Sequence, residues 1–166
     1  MSSNSPFIFF CLVCFSLTAY TQTKYGIKHI YAFSREHIPG IVAVDKNGTP
    51  LQIGPDTINT IFMEISGHPA QWNTAWKNGN TYSIAMKQLT ELPFLVGSMK
   101  EGDEEVILAP AKGNQLWRID LELAEHNISA PKKMKPGEIM LRGKYGKQVI
   151  IQKIERQVML RSIPSV

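Results

Sequence analysis

Turn residues break this chain so often that little besides short strands fits between them. Beyond Tyr25, Gly and Pro recur at short intervals, and no apolar stripe at helical spacing persists beyond about two turns. What lies between the breaks alternates. In Gln115–Leu123, the residues Trp117, Ile119, Leu121 and Leu123 fall on one face and Arg118, Asp120 and Glu122 on the other. That is the period of a half-buried strand, because successive side chains point to opposite faces. The breaks Lys77-Asn78-Gly79-Asn80, Lys100-Glu101-Gly102-Asp103 and Lys112-Gly113-Asn114 supply residues that tolerate positive φ, as tight hairpins require. Short strands at Gln71-Trp72, Tyr82-Ser83-Ile84, Phe94-Leu95-Val96 and Val106-Ile107-Leu108 complete this central stretch, residues 71–123. The fold class is all-β, a sandwich or a barrel.

Outside the central stretch, strands are expected at 25–31, 41–44, 51–53, 57–65, 138–141, 149–154 and 157–163. Repeats narrow the choice of architecture. Aligning Trp72 with Trp117 brings Tyr25-Gly26-Ile27 onto Tyr82-Ser83-Ile84 and Ile41-Val42 near Leu95-Val96. A third, degraded copy runs from about Asn127 to Ile163 without a closing Trp. Three units of roughly forty residues suggest a pseudo-threefold β-trefoil of about 11–12 short strands. A β-sandwich or another small β-barrel is the alternative.

The 166 residues suit one domain. Residues 7–20 are almost unbroken apolar and then give way to Thr21-Gln22-Thr23-Lys24. Such a run is short for a membrane span but suits the core of a secretory signal, so 1–20 is read as a signal peptide and 24–166 as the mature domain. Secretion follows, with no membrane association after the signal is removed. Cys11 and Cys14, the only cysteines, leave with it, and the mature domain stands without disulfides or thiol ligands. The net charge of +4 is modest, and the cluster Lys132, Lys133, Lys135 lacks the interleaved aromatics of a nucleic-acid footprint. Asn47-Gly48-Thr49 and Asn127-Ile128-Ser129 match the glycan-acceptor pattern.

No catalytic signature emerges. His29, His37, His68 and His126 are scattered, none at zinc-ligand spacing, and Asp103-Glu104-Glu105 is an acidic turn rather than a facing pair of carboxylates. The expectation is no enzyme, no metal and no cofactor.

The runs Gln71-Trp72…Asn78-Gly79-Asn80-Thr81-Tyr82-Ser83-Ile84, Phe94-Leu95…Val106-Ile107-Leu108 and Gln115-Leu116-Trp117-Arg118-Ile119 resemble the small β-trefoil serine protease inhibitors of mushrooms. The tail from Glu155 to Ile163 is similar to that family's late strand, although the family continues through a further strand beyond the position of Val166. The resemblance implies a monomer that inhibits a trypsin-like serine protease by presenting the loop between its second and third strands. In this chain that loop is 45–50, with Asp45, Lys46, Asn47, Gly48 and Thr49 at its tip. Lys46 would enter the acidic specificity pocket of the protease, and Lys100 is a second candidate. An ordinary hairpin tip explains the same residues. A ricin-type lectin competes, since Gln115-Leu116-Trp117 fits its Gln-x-Trp pattern and Trp76 beside Asn73 and Asn78 could stack on a sugar.

Overall fold

In the computed structural model, residues 25–38, 44–49, 56–102 and 104–164 are described. They form ten strands and no helix. The strands are β1 (Ile27–Ile38), β2 (Asp56–Ile65), β3 (Gln71–Lys77), β4 (Asn80–Leu89) and β5 (Phe94–Ser98), followed by β6 (Glu105–Leu108), β7 (Gln115–Leu123), β8 (Ile139–Tyr145), β9 (Gln148–Ile154) and β10 (Val158–Pro164). The all-β expectation is met. The expected signal at 1–20, the expected strand at 51–53 and residues 41–43 of the expected strand at 41–44 lie outside the described residues.

Eight strands make one strongly curled sheet in the order β10-β1-β2-β7-β4-β3-β8-β9, and β5 and β6 form a separate hairpin. Every pairing in the large sheet is antiparallel except that of β1 with β10, where Phe33 lies beside Val158. Asn78 (φ 50) and Gly79 (φ 83) make the two-residue β3–β4 turn. Two successive positive φ angles match the right-handed twist of the strands, which is why Asn-Gly sits there.

Among the described residues, pairing does not divide into three like units. Of the segments matched by the sequence repeat, 25–27 leads into β1 and 82–84 lies in β4, and of these two strands only β1 has a parallel neighbour. A repeat of turn and aromatic positions constrains where strands begin and end, not which strands they join.

Alternation sorts the side chains onto two faces, and each face has its own core. Ile30, Ala32, Ile61, Met63 and Ile119 lie on the inner face with Ile139, Leu141, Ile150 and Ile154. β1 and β8 stand five places apart in the sheet, about 24 Å if it were flat. Their side chains share a cluster only because the sheet curls around it. Fully burying each of these side chains other than Ala32 contributes roughly 1.5–3 kcal/mol. On the outer face, Phe33, Phe62, Leu116 and Leu160 pack under the β5–β6 hairpin, with Leu108 descending from β6. Farther round the same face, Trp76 and Met140 are buried where the segment after β7 crosses β3: the Trp76 indole donates to the carbonyl of Ile128 at 2.8 Å.

Leu123 departs from the alternation read in the sequence. It is 69% exposed, because β7 has already left β2 after Asp120 and ends beside Tyr82. Trp117 stays on the expected inner face but is only partly buried. Its indole N–H donates to Gln115 Oε1 at 2.9 Å.

Candidate functional site

Residues 44–49 form a small self-bonded turn. Asp45 organises it: Oδ1 accepts from the backbone N–H of Asn47 at 2.8 Å and from that of Thr49 at 2.9 Å. The backbone adds a bond from Asp45 N to Thr49 O (2.8 Å) and one from Gly48 N to Asp45 O (3.0 Å). An Asp at such a bend mimics a backbone turn with its own side chain. The N–H groups of Thr49 and then Asn47 hold the Asp45 carboxyl below the usual carboxylate range, so it is ionised at neutral pH. Gly48 closes the bend at φ +80. Lys46, Asn47, Gly48 and Thr49 are exposed. The five tip residues therefore come together as one bend with a cation on its outside. The remaining position of the expected loop, residue 50, lies outside the described residues.

Lys100 is differently placed. Its ammonium pairs with Glu36 at 3.2 Å, and its backbone N–H donates to Met159 O at 3.0 Å. It ties the β5–β6 hairpin to the β1–β10 edge, and its ammonium is engaged in that ion pair.

The sugar-stacking cluster does not assemble. Trp76 is 3% exposed, so its ring face is covered and its N–H is already committed to Ile128 O. In the Gln-x-Trp pair, the Trp117 indole N–H is spent on Gln115 Oε1. Asn127 is also committed: its Nδ2 donates to Gly79 O at 2.9 Å, and its Oδ1 accepts from the Thr81 hydroxyl at 2.7 Å. Asn47, the other glycan-acceptor residue, stands on the exposed bend.

Among the described residues, no group of three or more His, Cys, Asp or Glu side chains could hold a metal ion. No described helix is long and apolar enough to cross a membrane.

Two clusters escaped the sequence reading. Lys77, 8% exposed, reaches across the curl from β3 to donate to Asn59 Oδ1 on β2 and to Gln157 Oε1 at 2.8 Å. Burial pushes its ammonium pKa down. In the sequence Lys77 is only the first residue of a turn, and nothing local marks it as inward-facing. The second cluster joins Arg35 and Arg118 on the outer face. Arg118 was visible there as the polar partner of Trp117 and Ile119, but Arg35 was not, because β1 runs farther than its expected end at residue 31.

No protein-family model, curated protein or solved structure matches the chain.

Proposed function

We propose that this protein is a secreted binding module that presents the Asp45–Thr49 bend to a trypsin-like serine protease and inhibits it. The observation that carries the reading is the stapling of that bend by Asp45, which leaves Lys46 exposed on a backbone ordered before any partner arrives. Ordering a loop in advance removes an entropy cost from association, which for each rotamer-rich side chain and loop residue is about 0.5–1.5 kcal/mol. A lysine suits a pocket with a carboxylate at its base. Because Gly48 N bonds back to Asp45 O, the peptide after Lys46 is held in a turn rather than extended. Insertion without cleavage of the Lys46–Asn47 bond is the expected outcome. The buried Trp76 weighs against the lectin alternative.

For the finer architecture we take the small-barrel alternative over the trefoil. One eight-stranded curled sheet with a single accessory hairpin supports it.

The test is titration of trypsin with the secreted domain, beside Lys46→Ala and Asp45→Ala. The intact protein is expected to inhibit. Lys46→Ala should lose at least a hundredfold in affinity, the order of magnitude of a buried charged anchor at an interface. Asp45→Ala should lose less, through the loosened bend alone. Full protease activity at a large excess of the protein rules the reading out, as does equal inhibition by Lys46→Ala.

A further inference from the structure

Beneath the β5–β6 hairpin, against the outer face of β1, β2 and β7, lies a cavity of about 180 Å³. Its apolar side is aromatic. The rings of Phe33 and Phe62 meet edge to face with centroids 5.8 Å apart, and Phe94 leans over Phe62 at 5.5 Å. Two guanidinium groups line the same space, those of Arg35 and Arg118. Arg35 is pinned at one corner, where Nη2 donates to Val96 O at 2.9 Å and packs so close to Gly97 that a side chain there would collide with it. Its Nε is buried and has no hydrogen-bond partner. Arg118 commits its Nε to Asp120 at 2.9 Å. It also faces Lys87 directly across the β4–β7 pair, and like charges opposed in this way are destabilising on their own.

We propose that this cavity binds a small organic carboxylate with an apolar body, such as an arylacetate. Arg35 spends only Nη2 on the protein, so its guanidinium keeps donors for a bound acceptor. A second guanidinium beside a lysine leaves this region of the sheet with more cations than carboxylates. Guanidinium and carboxylate are matched in shape, and hydrogen bonds between ionised groups are about twice as strong as neutral ones. The three phenyl rings select the rest of the ligand. Beyond the guanidiniums the lining offers only the Ser34 and Thr60 hydroxyls, too few for a fully oxygenated anion such as phosphate, whose oxygens toward the rings would be buried unsatisfied. Size fits too, since an apolar cavity of about 150 Å³ takes up benzene. A single ring with a short acidic arm fills the space with its carboxylate toward Arg35 and Arg118. None of these residues belongs to the Asp45–Thr49 bend, so the site is independent of the protease reading.

The experiment is an NMR titration of the isotope-labelled domain with phenylacetate, phenylacetamide and inorganic phosphate, repeated on Arg118→Met. Phenylacetate should bind saturably, with a dissociation constant of roughly a micromolar to a millimolar, the range open to a ligand of this size. Shifts should centre on Phe33, Phe62, Phe94 and Val96. Phenylacetamide, and phenylacetate on Arg118→Met, should each bind at least tenfold more weakly, and phosphate should not compete. Arg118 is on the sheet surface, so its loss leaves the fold intact, and the amide ligand tests the charge without any mutation. No saturable shift, equal binding of acid and amide, shifts that centre elsewhere, or displacement by phosphate would each overturn the proposal.

Discussion

Gly143→Ala tests the packing of the curl at a point where β3 leaves no room for a side chain on β8. Gly143 pairs with Trp72, next to a register shift in β3 between Trp72 and Thr74. A Cβ at Gly143 would stand 2.5 Å from the carbonyl oxygen of Gln71, 2.8 Å from Trp72 Cε3 and 3.0 Å from Trp72 Cα. Two of those three atoms are backbone, so no rotamer change relieves the clash; β3 and β8 must part. Forcing a methyl group into a packed site costs about 1–3 kcal/mol. Alanine's smaller unfolded-state entropy offsets about 0.4–1 kcal/mol of that. A net loss of about 1.3 kcal/mol lowers the urea midpoint by about 0.7 M for an m-value near 2 kcal/mol/M. Because the ring of Trp72 must move, its near-ultraviolet circular dichroism should change as well. Gly146→Ala is the control: its Cβ meets nothing within 4 Å, and only its φ of +58 opposes the change, at a cost of about 1–2 kcal/mol. That variant should leave the Trp72 signal alone. An unchanged midpoint in Gly143→Ala, with an unchanged indole spectrum, would refute the argument from strand approach.

Lys77 and Glu138 both make stability rise with pH, in separate windows. The ammonium of Lys77 is pushed below its ordinary value of 10.5, so the folded state sheds that proton first, and stability rises as pH climbs toward 10.5. Lys77→Met should flatten this rise in denaturation midpoints measured up to about pH 10. That window stops short of Tyr31, whose phenol burial and Glu64 push above 10.0. Equal slopes for the two proteins would contradict the assignment. Glu138 is buried; it accepts from the Lys153 ammonium at 2.7 Å and from the Lys135 N–H at 2.6 Å, and these hold its carboxyl below the ordinary 4.5. Its contribution is present above that value and disappears as pH falls through the lowered one. Glu138→Gln should start less stable at neutral pH and converge on the parent as the solution is acidified. A constant gap down to about pH 3 would mean that the ion pair is not the cause.

The strands were legible because their causes are local. Alternation in Gln115–Leu123 and positive-φ residues at Asn78-Gly79 are written in neighbouring positions, and both elements appear where expected. Order within the sheet was not legible. Nothing near Phe33 or Val158 announces that those residues will run side by side in parallel. Turn chemistry also explains why the Asp45–Thr49 bend could be found, since Asp and Asn-Gly carry its hydrogen bonds themselves. Trp76 shows the reverse case. Its neighbours Asn73 and Asn78 suggested an open surface, but the segment containing Ile128 arrives from some fifty positions away and covers it. Lys77 meets Asn59 and Gln157 only through the curvature of the whole sheet, which no window of sequence contains.

The pairing of β1 with β10 has a consequence for synthesis. During translation β1 can join β2 early, but its other side must wait for β10, the last strand described. Until then a long strand carries an unsatisfied row of amides and carbonyls beside the emerging Phe33 and Phe62, the kind of edge that recruits other chains. Holding the nascent polypeptide short of residue 158 should therefore leave it dependent on a chaperone, and release of those last few residues should end that dependence.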